Sequence, residues 1–153
     1  MKEILDACCG SRMFWYDREN PHVIFQDIRE LETTLCDGRV LKVAPDVLGD
    51  FRKMHFADET FNIVVFDPPH LIRAGAKSWL AQKYGVLSEN WKDDIKAGFS
   101  ECFRVLKPFG SLFFKWNQQQ IPFKEVIKLA PEPPLFGDKR GDTRWTVFCK
   151  GTM

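Results

Sequence analysis

The sequence has 153 residues, of which 44% are apolar, 28% charged and 14% aromatic. This is the length of one domain, and the composition excludes a disordered, collagen-like or coiled-coil chain. The net charge of +1 excludes a strong overall positive field, so a nucleic acid would have to bind a local basic patch.

Strand and helix patterns alternate along the chain. The predicted strands are Lys2–Leu5, His22–Phe25, Asp46–Leu48, Phe61–Phe66, Ser111–Trp116 and Arg144–Lys150. The predicted helices are Arg12–Arg18, Trp91–Leu106 and Phe123–Leu129, and Arg29–Cys36 is helical or irregular. The remaining long segments are Leu71–Asn90, a candidate lid or substrate loop, and the loop Pro131–Asp142.

The order of these elements predicts the architecture. Phe61–Phe66 is rich in β-branched and aromatic residues without alternation, which is typical of a strand covered on both faces of a parallel sheet. Alternating strands and helices favour an α/β fold with a doubly wound, mostly parallel sheet. We expect residues 1–153 to form a single domain with no separate target-recognition domain.

Acidic residues lie at the ends of four predicted strands. They are Asp6, Asp27, Asp50 and Asp67. Ligands of open α/β sheets bind outside the carboxyl ends of the strands, so this edge is the candidate site.

The first of these strand ends leads into the small residues Ala7, Cys8, Cys9, Gly10 and Ser11. Small residues allow a ligand to approach the backbone closely, although an ordinary strand-to-helix turn has the same pattern. No G-x-G-x-x-G motif is present, which counts against a dinucleotide-dependent oxidoreductase.

Two further acidic residues suit a nucleoside. Asp27 follows Asp6 by 21 residues, a spacing at which a carboxylate at the second strand tip accepts hydrogen bonds from ribose hydroxyls. Asp50 at a third strand tip could accept the amino group of an adenine, with Phe51 adding apolar contact. A solvated side chain and a loop cap remain the alternatives.

The most specific motif is Asp67-Pro68-Pro69-His70. Two prolines fix the backbone and remove two donors, which leaves the Asp67 carboxylate and the Pro68 carbonyl as acceptors. Such a pocket favours an amine.

These motifs together resemble those of class I S-adenosylmethionine-dependent methyltransferases. The segment LDACCGS at 5–11 resembles their cofactor loop, and CFRVLKPFG at 102–110 is similar to the turn before their fifth strand. DPPH at 67–70 resembles the D-P-P-Y/F/W motif of the subgroup that methylates exocyclic amines of nucleobases.

The resemblance implies an enzyme that uses S-adenosyl-L-methionine. The cofactor-binding residues would be Asp6, Ala7, Cys8, Gly10, Asp27, Asp50 and Phe51. The catalytic residues would be Asp67, Pro68, Pro69 and His70, of which His70 would stack on the target base. The substrate would be an exocyclic amine of a nucleobase, with adenine favoured and DNA preferred over RNA, and no metal is expected.

Position 70 departs from the family pattern, because His70 replaces the usual aromatic residue. Imidazole can stack on a base but also carries a donor and titrates. A methyltransferase for a small-molecule or other amine, and a non-catalytic cofactor-binding subunit of a larger complex, therefore remain alternatives.

We expect nucleic acid to bind at residues 71–97 and 137–144, with a specificity subunit as a possible partner. The basic and aromatic residues of these segments include Arg73, Lys77, Trp79, Lys83, Lys139, Arg140 and Arg144.

The five cysteines include no C-x-x-C pair and indicate neither a disulfide framework nor a zinc site. No apolar run is long enough to span a membrane, so the sequence predicts a cytoplasmic protein.

Overall fold

The computed structural model describes residues 1–72, 81 and 85–152. The strands are β1 (Ile4–Asp6), β2 (Val23–Asp27), β3 (Leu31–Thr34), β4 (Val40–Val43), β5 (Val47–Leu48), β6 (Phe61–Phe66), β7 (Leu106–Asn117), β8 (Phe136–Gly137) and β9 (Thr143–Cys149). The described helices are α1 (Trp91–Val105) and α2 (Phe123–Ile127). Among the described residues, no helix has both the length and the apolar character needed to cross a membrane.

Seven strands form one sheet in the order β5-β2-β1-β6-β7-β9-β8. The strands from β5 to β7 are parallel, and β9 and β8 continue the sheet with antiparallel pairing. The mixed α/β class and the mostly parallel sheet are therefore confirmed. The presence of helices on both faces, which a doubly wound sheet requires, stays a prediction.

The core lies between the sheet and α1. The helix buries Ile95, Phe99 and Cys102 completely, and their spacing places them on one apolar stripe that faces the sheet. Phe99 packs against Phe66 of β6 and Phe114 of β7, with ring centroids 5.4 Å and 4.7 Å apart. These contacts fix the position of β6, whose carboxyl end carries the Asp-Pro-Pro-His motif.

The predicted helix Arg12–Arg18 is wrong, because this segment consists of turns and irregular backbone. Arg12 has a φ of +59°, which a right-handed helix does not allow. Its guanidinium donates hydrogen bonds to the backbone oxygens of Arg18, at 2.6 Å, and Ala44, at 2.7 Å. The arginine thus holds the loop in place of helical hydrogen bonds.

The segment Arg29–Cys36, expected to be helical or irregular, instead contains β3, which forms an antiparallel hairpin with β4. Gly38 at the turn has a φ of +85°, a conformation that glycine adopts without strain. Leu35, Leu41 and Val43 form a small separate core beneath the hairpin.

The remaining differences lie at the ends of elements. The predicted loop 131–142 contains the two-residue strand β8, and β7 begins at Leu106 rather than at Ser111. The strand β6 has the predicted bounds, whereas the bounds of β1, β2, β5, β9 and α2 differ from the predicted ones by one or two residues.

Candidate active site

An open cleft of about 160 Å³ lies beyond the carboxyl ends of the central strands. It is lined by Cys9, Gly10, Ser11, Met13, Phe14, Arg29, Asp67, Pro68, His70 and Lys115. The loop after β1 and the motif after β6 therefore meet in one place, as the sequence predicts for adjacent parallel strands.

The Asp-Pro-Pro-His motif contributes one wall of the cleft through Asp67, Pro68 and His70. Burial raises the pKa of the Asp67 carboxyl to about 6, and the positive charge of Lys115 opposes this rise. Burial and the same lysine lower the pKa of His70. The His70 ring lies edge-on to the Trp116 ring, with centroids 6.2 Å apart.

Asp27 joins the end of β2 to the loop after β1. One carboxylate oxygen accepts a hydrogen bond from Gly10 N at 2.8 Å, and the other accepts one from Arg29 N at 2.9 Å. Gly10 has a φ of +51°, so a glycine suits the turn at this point. The Asp27 carboxylate thus fixes the backbone of two residues that line the cleft.

Asp6 is fully buried beneath the same loop. Its carboxylate accepts a hydrogen bond from Trp15 Nε1 at 2.7 Å and a longer one from Cys8 N at 3.3 Å. Burial raises the pKa of Asp6 to about 7, and the negative charges of Asp67 and Asp27 contribute to the rise. Three carboxyl groups therefore lie close enough to interact at this edge of the sheet.

The adjacent thiols are held in their protonated form. Burial raises the pKa of Cys8 well above its ordinary range and that of Cys9 to about 12, with the Asp6 charge adding to both. These cysteines act as small side chains in the loop, and their environment disfavours the reactive thiolate.

Asp50 and Phe51, predicted to contact an adenine, lie apart from the residues that line the cleft. The Asp50 carboxylate accepts hydrogen bonds from the Arg52 guanidinium, which also reaches Asp94 in α1. Phe51 packs on Phe66 with ring centroids 5.2 Å apart. In this structure both residues attach the loop after β5 to the core.

Five other predicted residues also stand outside the cleft lining, namely Asp6, Ala7, Cys8, Asp27 and Pro69. Ala7 is buried, and the Pro69 ring lies close to Gly85. Ala7 contributes its backbone, which donates to Val65 O and accepts from Gln26 Nε2.

Four cleft residues were missed by the sequence analysis. They are Met13, Phe14, Arg29 and Lys115. Lys115 carried a recognisable signal, since it is a single charge within the apolar run Leu112–Trp116 of a predicted strand. Phe14 was assigned to a helix that the chain does not form.

The segments predicted to bind nucleic acid are described only in part. Arg73, Lys77, Trp79 and Lys83 lie outside the described residues. Lys139 and Arg140 are exposed. The Arg144 guanidinium lies 5.1 Å from the centroid of the Phe123 ring and donates to Gly141 O.

Neither a protein-family model nor a curated protein sequence matches the chain. Solved structures do match it over nearly its whole length. A protein from Pyrococcus horikoshii OT3 has a TM-score of 0.62 at 18% identity, covering 97% of this chain and 81% of that one. An S-adenosylmethionine-dependent methyltransferase from Methanosarcina mazei has a TM-score of 0.60 at 13% identity, covering 98% and 93%.

A third structure, a TehB-like S-adenosylmethionine-dependent methyltransferase from Corynebacterium glutamicum, has a TM-score of 0.57 at 17% identity, covering 97% of this chain and 80% of its own. The chain has the fold of S-adenosylmethionine-dependent methyltransferases. At these identities the likeness defines the fold alone.

Proposed function

We propose that this protein is an S-adenosylmethionine-dependent methyltransferase that modifies an exocyclic amine of a nucleobase, with adenine in DNA the favoured target. The observation that carries the proposal is that Asp67 and Pro68 share one cleft with Gly10 and Ser11 of the loop after β1. An acceptor pair for an amine thus stands beside a loop suited to the cofactor.

The residues of this edge fit a cofactor that carries positive charge. The negative charges of Asp67 and Asp27 both act on Asp6, so acidic groups are concentrated at these strand ends. Met13 and Phe14 add polarisable and aromatic surface to the same cleft. Gly10 lacks a side chain and leaves the backbone approachable.

The chain's own residues would activate the target by holding it. The lone pair of an exocyclic amine is delocalised into the base, and acceptors at Asp67 and Pro68 would draw the nitrogen toward tetrahedral geometry. A bound S-adenosylmethionine would supply the methyl group, and its sulfur would keep the electron pair of the C–S bond when the amine nitrogen takes the methyl. The nitrogen then loses one proton to Asp67 or to water, and alignment supplies most of the catalysis.

His70 would stack on the target base from its place beside Pro68. Because burial and Lys115 lower its pKa, the ring is neutral at pH 7 and suits stacking better than an imidazolium would. A base in duplex DNA would have to flip out of the helix, at a cost of a few kcal/mol.

The proposal is tested by transfer of labelled methyl groups to duplex DNA, single-stranded DNA and RNA. Asp67→Ala removes an acceptor and should lower the transfer rate by about 10²–10³-fold, the range seen when one positioned hydrogen-bonding group is lost. Asp67→Asn keeps a carbonyl acceptor and should retain part of the activity. Nucleoside digestion would identify the base.

Binding of the cofactor, measured separately by calorimetry, serves as the control for a folded site. Label on no polymer despite bound cofactor would refute the nucleobase assignment and favour a small-molecule amine. Equal transfer by wild type and Asp67→Ala would refute the role of the acceptor.

A further inference from the structure

Lys115 lies next to the motif because of the register of the central strands. Phe66 of β6 pairs with Phe114 of β7, so the residues that follow, Asp67 and Lys115, are neighbours across the sheet. Lys115 Nζ is 3.8 Å from Asp67 Oδ2, and about a quarter of each side chain is exposed. The two groups form an ion pair inside the cleft.

Two aromatic rings hold the Lys115 ammonium in this position. The centroids of the Phe14 and Trp145 rings are each 5.7 Å from Nζ. The two rings contact each other edge to face at 5.4 Å, and β9 places Trp145 directly opposite Lys115. Aromatic faces attract a cation, so the two rings hold the ammonium beside Asp67 and limit its movement.

The other charges near Asp67 differ in their effect. Asp6 interacts with Asp67, and also with Asp27, as a like charge when ionised, and the buried Cys8 thiol is neutral. Burial and Lys115 lower the pKa of His70 and so favour its neutral form. Arg29 lies in the same cleft, and its Nε is 3.5 Å from the Asp27 carboxylate.

Lys115 is therefore the cation that directly faces Asp67 among the groups described. We propose that Lys115 is a positioning residue that keeps Asp67 ionised and binds its Oδ2, so that Oδ1 is left to accept the target amine. This inference rests on the proposed function. Lys115 acts through the carboxylate and leaves the choice of base to other residues.

The test is the pH dependence of kcat/KM for methyl transfer in wild type, Lys115→Met and Lys115→Arg. Wild type should lose activity on the acidic side with a midpoint near the Asp67 pKa of about 6. Without the lysine the midpoint should move upward by about 1 pH unit, the lower end of the effect of a nearby opposite charge, because the pair is partly exposed. Activity at high pH should recover, and arginine should restore the wild-type midpoint.

Asp67→Asn provides the decisive background. With no carboxyl to titrate, the acidic limb that depends on Asp67 should vanish, and adding Lys115→Met should leave the profile unchanged. A fall in activity that is equal at every pH, or a shift that persists with Asp67→Asn, would overturn the inference. Lys107→Met, at the other end of β7 and paired with Glu3 at 3.5 Å, is the matched control and should change nothing.

A second readout does not depend on activity. Carbon-13 NMR of aspartate-labelled protein should show that the Asp67 carboxyl titrates at higher pH in Lys115→Met than in wild type. If the titration shifts but no nucleic acid is methylated, the ion pair stands and the proposed function fails. If nucleic acid is methylated and neither titration nor profile shifts, the inference about Lys115 fails alone.

Discussion

Asp6→Asn is expected to remove part of the pH dependence of the unfolding free energy. Asp6 is fully buried, and its pKa is raised from the usual 3.8 to about 7, chiefly by burial. A carboxyl with a raised pKa binds more protons in the native state than in the unfolded state between these values, so stability falls as the pH rises.

The magnitude follows from the two pKa values. A pKa shift of about 3 units corresponds to a change of about 4 kcal/mol in the unfolding free energy, reached in full at a pH above both pKa values. Between about pH 5 and about pH 8 the change in unfolding free energy attributable to Asp6 is about 2.5 kcal/mol. The asparagine also loses part of its hydrogen bonding to Trp15 Nε1 and Cys8 N, but that cost is independent of pH and cancels in the comparison.

The assay is urea unfolding of both proteins at the two pH values, followed by circular dichroism. Relative to wild type, Asp6→Asn should be more stable at the higher pH by about 2.5 kcal/mol than it is at the lower pH. Asp17→Asn, which alters an exposed carboxylate in the same loop that accepts a hydrogen bond from Glu19 N, should show no such difference. Equal effects of Asp6→Asn at both pH values would refute the reasoning.

Two further predictions concern packing and thiol reactivity. Gly98→Ala should destabilise the protein by about 1–2 kcal/mol in urea unfolding, because the new Cβ would lie 2.6 Å from ring carbons of Phe51 and Phe66. This clash should outweigh a gain in helix propensity of about 1 kcal/mol. A variant more stable than wild type would contradict the packing described for Gly98. The exposed Cys36 should be alkylated by iodoacetamide well before Cys9, whose pKa burial raises to about 12, and peptide mass mapping that found equal rates would contradict this order.

Elements dominated by local pattern could be predicted from the sequence. Phe61–Phe66 contains the unbroken apolar run Ile63–Phe66, and Trp91–Val105 has a clear helical stripe, so the sequence predicts both elements to within one residue of their bounds. The presence of Gly10 and Asp67 in one cleft could also be predicted from the sequence, because parallel strands bring their carboxyl ends to the same edge of the sheet.

The features that could not be predicted from the sequence depend on contacts between residues far apart in the chain. The loop at residues 12–18 is held by Arg12 bonding to Ala44, a partner 32 residues away, and no local pattern reveals that choice. Lys115 approaches Asp67 only because of the register between β6 and β7, which the sequence leaves undetermined.

The central position of β1 has a consequence for how the chain folds. Ile4 pairs with Val23 on one side and with Ile63, 59 residues later, on the other. During synthesis this three-residue strand cannot complete its hydrogen bonding until β6 has emerged, and the antiparallel strands at the far edge come later still. Such distant pairings lose the entropy of closing long loops before the strand contacts contribute favourable free energy. We therefore expect folding on the scale of milliseconds to seconds.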